Sequence, residues 1–181
     1  DKFFSHYALW GGYDLVSSLA KVGFHPDDIT DVVFTHLHFD HCGGAIIRNK
    51  NGVYEPAFKN ARFWSHKDHW QWAVEPNVRE KASFLPENIQ PIQESGQLNL
   101  LDSNSTPLGF DVLLMDGHTE KQMLPIIQYK EKTIVFAADL IPTAGHLPIP
   151  YVMGYDTRPL LTLTEKSDFL KTAVEKDYLL F

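Results

Sequence analysis

Apolar and polar positions along this chain fall into short blocks whose period switches between helical and extended several times. Leu15, Val16, Leu19 and Val22 recur at the spacing of one helix face and Gly23 follows as a stop, so residues 14–22 predict a short amphipathic helix. His25-Pro26-Asp27-Asp28 is turn chemistry with His25 as a turn residue, and residues 29–35 predict a strand buried on both faces. A helix is expected to begin after Gly44 and to give way to a polar insert over residues 48–56, with Asn51-Gly52 as a tight turn. Residues 61–65 predict a strand, and residues 66–73 and 78–85 predict helix interrupted at Pro76. Residues 86–91 read as a loop, 97–101 as a short strand and 110–115 as a stronger one. Residues 124–130 and 133–138 form a hairpin pattern around Lys130-Glu131-Lys132, and residues 141–159 a proline-rich loop. Residues 164–176 predict a helix with Phe169, Leu170 and Val174 apolar, and residues 178–181 begin another strand. Strands and helices interleave throughout, which is an α/β (α+β) arrangement.

Composition narrows the class. The 181 residues fit one domain, and 44% hydrophobic residues supply a real core. Sixteen Lys and Arg against 23 Asp and Glu give a net charge of −7 with no basic stripe, so nucleic acid is not an expected partner. No apolar run reaches the roughly 18 to 20 residues of a membrane span, and no signal peptide is visible. The single cysteine excludes an internal disulfide and suits a reducing compartment, which makes cytoplasmic the expectation.

Chemistry concentrates in Thr35-His36-Leu37-His38-Phe39-Asp40-His41-Cys42-Gly43-Gly44, directly after the apolar Val32-Val33-Phe34. Extended backbone throws His36 and His38 to one side and Leu37 and Phe39 to the other. A turn at Asp40 brings its carboxylate and His41 beside the first pair, and Gly43-Gly44 lets backbone pass close by. Desolvating imidazoles and a carboxylate together is costly, and the usual compensation is a metal; nitrogen with some oxygen donors suits zinc first, iron or manganese next. A second strand exits into Asp116-Gly117-His118-Thr119, where His118 alone reads as readily as a loop residue as a ligand. Asp139 closes a third apolar run, where a carboxylate is costly without a partner unless it caps a helix. His66 and His69 have no acidic or cysteine partner to complete a site; they read as flanking the packed Trp70 and Trp72, which could also wall a pocket. Cys42 reads as a small buried residue. The proline-rich loop carries His146, Tyr151, Met153 and Tyr155 and is a candidate pocket wall or lid, with His146, Tyr151 and Tyr155 as candidate substrate contacts.

His36-x-His38-x-Asp40-His41, preceded by an apolar strand and followed by Gly43-Gly44, resembles the signature of the metallo-β-lactamase-fold hydrolases. Gly117-His118-Thr119 is similar to that family's Gly-His-Thr element, with Glu120-Lys121 in place of a frequent Pro-Gly, and Asp139 matches its bridging aspartate. The resemblance implies a four-layer αββα sandwich, one domain over residues 1–181 that is short of the family's length at both ends, with ligands on loops at one edge of two sheets. It implies two divalent metal ions, zinc first, with manganese or iron as alternatives. His36, His38 and His118 would hold one, Asp40 and His41 the other, with Asp139 between them. The implied reaction is hydrolysis of an ester or lactone in a small-molecule substrate by a hydroxide formed at the metals, with Asp40 as the catalytic residue that orients it and moves a proton to the leaving group. Leu140-Ile141-Pro142 follows Asp139 where lactonases of this family often carry a tyrosine, and the family's last second-site histidine would lie after the strand that begins at Tyr178. The alternatives are a glyoxalase-II-like thioesterase and a non-catalytic metal-binding module.

Overall fold

Adjacent residues of the central strands feed different apolar clusters, and that alternation builds a sandwich. The computed structural model describes residues 14–181. Its elements run α1 (Leu15–Lys21), β1 (Asp31–Val33), α2 (Phe39–Cys42), β2 (Ile46–Arg48), β3 (Tyr54–Pro56), β4 (Arg62–His66), α3 (Lys67–Val74), α4 (Pro86–Glu94), β5 (Leu98–Leu101), β6 (Asp111–Met115), β7 (Gln122–Tyr129), β8 (Lys132–Val135), α5 (Pro159–Glu175) and β9 (Tyr178–Leu180). One sheet is parallel in the order β1-β4-β5. The other has the order β6-β7-β8-β9, antiparallel except where β9 joins β8 in parallel.

Val32 and Phe63 face a cluster with Trp70, Ile89 and Ile92, which lies between the first sheet and helices α3 and α4. Their neighbours Val33 and Trp64 face the other way, against Val112 and Met123 of the second sheet. Leu113 and Leu124 turn outward again to meet Phe169 of α5. Three apolar seams therefore separate helices, sheet, sheet and helix, which is the four-layer αββα arrangement expected. Phe63, Leu37 and Ile92 are fully buried, and such side chains contribute about 1.5 to 3 kcal/mol each.

Several expectations change in detail. Strand pairing in the 29–35 segment is confined to Asp31–Val33, and these residues are half-buried rather than buried on both faces. Asp31 accepts hydrogen bonds from Arg62 Nε at 2.9 Å and Trp64 Nε1 at 2.8 Å, so the strand starts on a surface charge. No helix forms after Gly44 beyond one 3-10 turn, Gly43–Ala45; the β-branched Ile46 and Ile47 instead enter a hairpin with β3, closed near Gly52 at φ +81°.

Residues 78–85 are not helical, because the Asn77 side-chain oxygen accepts from both Arg79 N at 2.9 Å and Glu80 N at 3.1 Å and draws the backbone into a turn. The helix begins instead at Pro86, where a proline is preorganised for the first turn, so the segment 86–91 expected as a loop is the start of α4. Helix α5 likewise starts at Pro159, five residues before the expected 164, and Val174 points to solvent at 83% exposure while Phe169 and Ala173 face the core.

Lys166 of α5 is completely buried, yet its ammonium is satisfied: Nζ donates to the carbonyls of His146 and Pro148 at 3.0 Å and of Tyr151 at 2.7 Å. The proline-rich loop is thereby fastened to the last helix. No helix among the described residues is long and apolar enough to cross a membrane.

Candidate metal centre

Three loops leave the sheets at one edge. The first leaves β1 when Phe34 N makes its last bond to the Trp64 carbonyl, at 3.0 Å, and it carries His36, His38 and His41. His38 occupies the N-cap position of the short α2, and Cys42 Sγ donates back to the Leu37 carbonyl at 3.3 Å. The second follows β6 and carries His118; the third follows β8 and carries Asp139. Ala138, just before that aspartate, adopts φ +43°, a left-handed conformation unusual for a residue with a Cβ.

The second loop is clamped by α5. Glu165 accepts from Asp116 N at 2.8 Å and Gly117 N at 3.0 Å, and Arg158 N donates to the Gly117 carbonyl at 2.8 Å. The Arg158 guanidinium also binds Glu120 at 2.7 Å and lies 5.3 Å from the centre of the Trp72 ring. His69 bridges this loop to the first one. Its Nε2 accepts from Leu37 N at 2.8 Å and its Nδ1 meets the Glu120 carbonyl, so Nδ1 carries the proton. Burial lowers its pKa to about 4, which keeps the ring neutral in that role. With both nitrogens committed to backbone, His69 is a bracket and not a ligand, and His66 caps α3 through Asp68 N at 3.2 Å.

The rings of His36, His38 and His118 converge, with His38 Nδ1 3.1 Å from His118 Nε2 and ring centres of His36 at 4.7 and 5.0 Å from the other two. A second convergent group joins His36, His41 and Asp139. Asp139 Oδ2 lies 3.2 Å from His118 Nε2, 3.3 Å from His41 Nε2 and 3.8 Å from His36 Nε2, between the two groups. Asp40 stands at the rim, 59% exposed, with its Oδ2 3.6 Å from His41 Nε2.

The outward nitrogen of each buried ring is held. His36 Nδ1 meets Thr35 Oγ1 at 3.1 Å, His38 Nε2 meets Glu80 at 3.3 Å, and His118 Nδ1 meets Asp156 at 2.9 Å. Such partners fix the tautomer and aim the inward nitrogen. The inward His36 Nε2 is buried with no hydrogen-bond partner, an arrangement that costs about 1 to 3 kcal/mol in an ordinary interior. Three imidazole nitrogens with an adjacent carboxylate fit a zinc-type divalent ion.

Charges agree with that use. Burial, and then the neighbouring imidazoles, hold His36 far below the usual histidine range, so it is neutral and able to donate its lone pair. Burial alone would raise Asp139 and lower His41, but their mutual hydrogen bond and attraction reverse both, leaving a carboxylate against a raised imidazole. Glu80 is also desolvated, yet hydrogen bonds led by that of His38, with Asn77 and Trp72, hold it down at about 2.

The centre opens into a cavity of about 430 Å³ walled by Phe39, Arg79, Ala82 and Tyr155. His38, Asp40, His118 and Asp139 line it, so of the expected site residues these four meet Tyr155 in one space, with His36 and His41 packed beside them. His146 and Tyr151 lie outside that lining; His146 Nδ1 meets Thr143 Oγ1 at 2.9 Å, and Tyr151 is 60% exposed. Glu80 and Asp156, buried carboxylates that aim two of the histidines, carried no signal in the sequence beyond being acids in apolar surroundings.

Cys42 is buried and its thiol is pushed up to about 12, by burial first and then by Asp40. Native protein at pH 8 is therefore expected to resist a thiol-reactive dye and to react at one site per chain only after unfolding. Rapid labelling of the folded protein would contradict this placement.

The family profile described as the Metallo-beta-lactamase superfamily matches residues 7–175. An N-acyl homoserine lactonase of Bacillus thuringiensis is 26% identical over 166 residues, covering 90% of this chain and 58% of the relative. One from a Bacillus species is 28% identical over the same shares. Among solved structures, a probable metal-dependent hydrolase from Staphylococcus aureus superposes with a TM-score of 0.88 at 25% identity, covering all of this chain and 64% of that one. A dizinc quorum-quenching lactonase in complex with a product gives 0.77 at 24% identity, over 92% and 61% of the two chains. The chain thus spans 58% of the length of the lactonases it matches.

Proposed function

The chain belongs to the metallo-beta-lactamase superfamily, and from that premise we propose that it hydrolyses an ester or lactone in a small-molecule substrate with the help of two divalent metal ions, zinc first. His36, His38 and His118 would hold one ion, Asp40 and His41 the other, with Asp139 between them. The observation that carries this reading is His36 Nε2, buried and unpartnered at the point where two further imidazole nitrogens and a carboxylate oxygen converge. Divalent ions bound there would supply a nucleophile by acidifying water toward neutral pH and would polarise the carbonyl under attack.

The chain's own groups set the rest. Glu80 and Asp156 keep the His38 and His118 rings in one tautomer and orientation. Asp40, exposed at the rim, is placed to move a proton toward the leaving oxygen. Phe39, Ala82 and Tyr155 give the cavity an apolar flank against which the carbon chain of a substrate could rest. N-acyl homoserine lactones are the first substrates to test, because the matched relatives bear that name.

Zinc- or manganese-loaded protein is expected to open such lactones or cleave aryl esters, and to stop when a chelator removes the metal. Asp40→Asn is expected to lower turnover by about a hundredfold or more while the first ion still binds. Metal-loaded protein that turns over no lactone, aryl ester or thioester would leave a metal-binding module as the better reading.

A further inference from the structure

Among the described residues Arg79 is the one Arg or Lys side chain lining the cavity above the candidate metal centre, in a chain of net charge −7. It is delivered there by the Asn77 turn, whose side-chain oxygen caps both Arg79 N and Glu80 N and so sends two successive side chains toward the same space. Its guanidinium is not loose. Nη2 donates to the carbonyls of Gly154 and Asp156, both at 2.9 Å, on the loop whose Asp156 side chain holds His118. A guanidinium has five N–H donors, and two neutral carbonyls occupy only one of its nitrogens. Among the described residues Arg79 makes no ion pair, although Glu80 is its neighbour in sequence and Asp40 lines the same cavity. Glu80 is unavailable because its carboxylate is already taken by Trp72, Asn77 and His38.

A cation fixed at a pocket wall, unneutralised, with a free planar edge of donors is built to take an anion. We infer that Arg79 is an anion-binding residue of this pocket, and that the substrate carries an acidic group, carboxylate or phosphate, in the part that extends away from the hydrolysed carbonyl. This rests on the ester or lactone reading of the same site and narrows it away from the uncharged N-acyl homoserine lactones: a wholly neutral substrate would leave the guanidinium with its two backbone carbonyls and no counter-charge. Because Arg79 is exposed, its contribution is that of a solvated charge-assisted pair, about tenfold in specificity.

The test uses zinc-loaded protein and two ester probes of equal acyl length, mono-4-nitrophenyl glutarate and 4-nitrophenyl valerate. Wild type is expected to prefer the glutarate in kcat/KM. Arg79→Gln should lose about tenfold on the glutarate and little on the valerate, Arg79→Lys should keep most of the preference, and high salt should erode it. Equal losses on both probes would show that Arg79 only pins the 154–156 loop, and a preference that survives in Arg79→Gln would assign the anion to the metals; either overturns the inference. Calorimetric binding of the unreactive amides, glutaranilic acid and N-phenylpentanamide, decides the matter without turnover. Tighter binding of the acid by wild type but not by Arg79→Gln sustains the role of Arg79 even if neither ester is cleaved, in which case the hydrolase reading alone falls. Equal binding of both amides by wild type overturns the inference.

Discussion

Replacing His36 by leucine is expected to weaken zinc binding at the proposed site of His36, His38 and His118 at least about a hundredfold, since loss of a mere hydrogen-bond partner of a ligand already costs about 10- to 100-fold. The effect on the metal-free protein should be quite different. There the buried Nε2 has no partner, so an apolar side chain of similar volume removes an unsatisfied group while giving up the Nδ1 contact to Thr35 Oγ1, and with these two effects opposed the variant should melt close to metal-free wild type. What shrinks is the stabilisation conferred by zinc. At a fixed free concentration a hundredfold weaker site forfeits about 2.7 kcal/mol, which for a chain of this size is roughly 5 to 10 °C of the metal-induced rise in Tm. Competition against a zinc-chelating dye and paired melting curves with and without zinc measure both quantities. An unchanged zinc increment would remove His36 from the ligand set.

Gly117→Ala should damage the fold and the site together. A Cβ at this position would lie 2.4 Å from both the backbone nitrogen and the hydroxyl of Thr162 and 2.5 Å from its Cα, closer than any side chain tolerates. The obstruction is mainly backbone of α5, so no rotamer change relieves it. Either the helix or the His118 loop must retreat, and the bonds from Asp116 and Gly117 to Glu165 hold the two together. The expected cost is about 3 kcal/mol, toward the upper end for overpacking, seen as a fall of roughly 6 to 12 °C in Tm. Metal affinity should fall as well, because His118 shifts with its loop. A variant with wild-type Tm would mean that α5 is not seated against this glycine.

The proposed ligands stand out in the sequence because they follow runs of apolar residues or crowd into one short motif. The 36–41 cluster follows Val32-Val33-Phe34 after a single threonine, His118 lies three residues past the 110–115 strand, and Asp139 directly ends the 133–138 run, positions where burial makes a polar group conspicuous. Glu80 and Asp156 carry no such flag. Their partners, His38 and His118, are 42 and 38 residues away, and only the folded approach of the loops reveals the pairing. Pro86 and Pro91 made α4 look like a loop; local propensity favours that reading, while burial of Ile89 and Ile92 against Phe63 decides otherwise. The reverse happened at 78–85, where one asparagine side chain outweighed a plausible helical pattern. The sandwich itself came from the family resemblance, since periodicity identifies strands without saying which face which sheet.

Lys166 gives the proline-rich loop an anchor that is blind to sequence. It grips the main-chain oxygens of residues 146, 148 and 151, groups that every amino acid possesses. Side chains along that stretch can therefore be exchanged by mutation without loosening the attachment, provided the backbone path is kept. Tyr155, a few residues beyond the anchor, belongs to the cavity wall, and the loop continues to Asp156, which holds His118. The chain thus separates a segment free to diversify from the groups that aim the proposed metal-binding histidines, and the outer face of the loop can change in single steps that leave the centre in place.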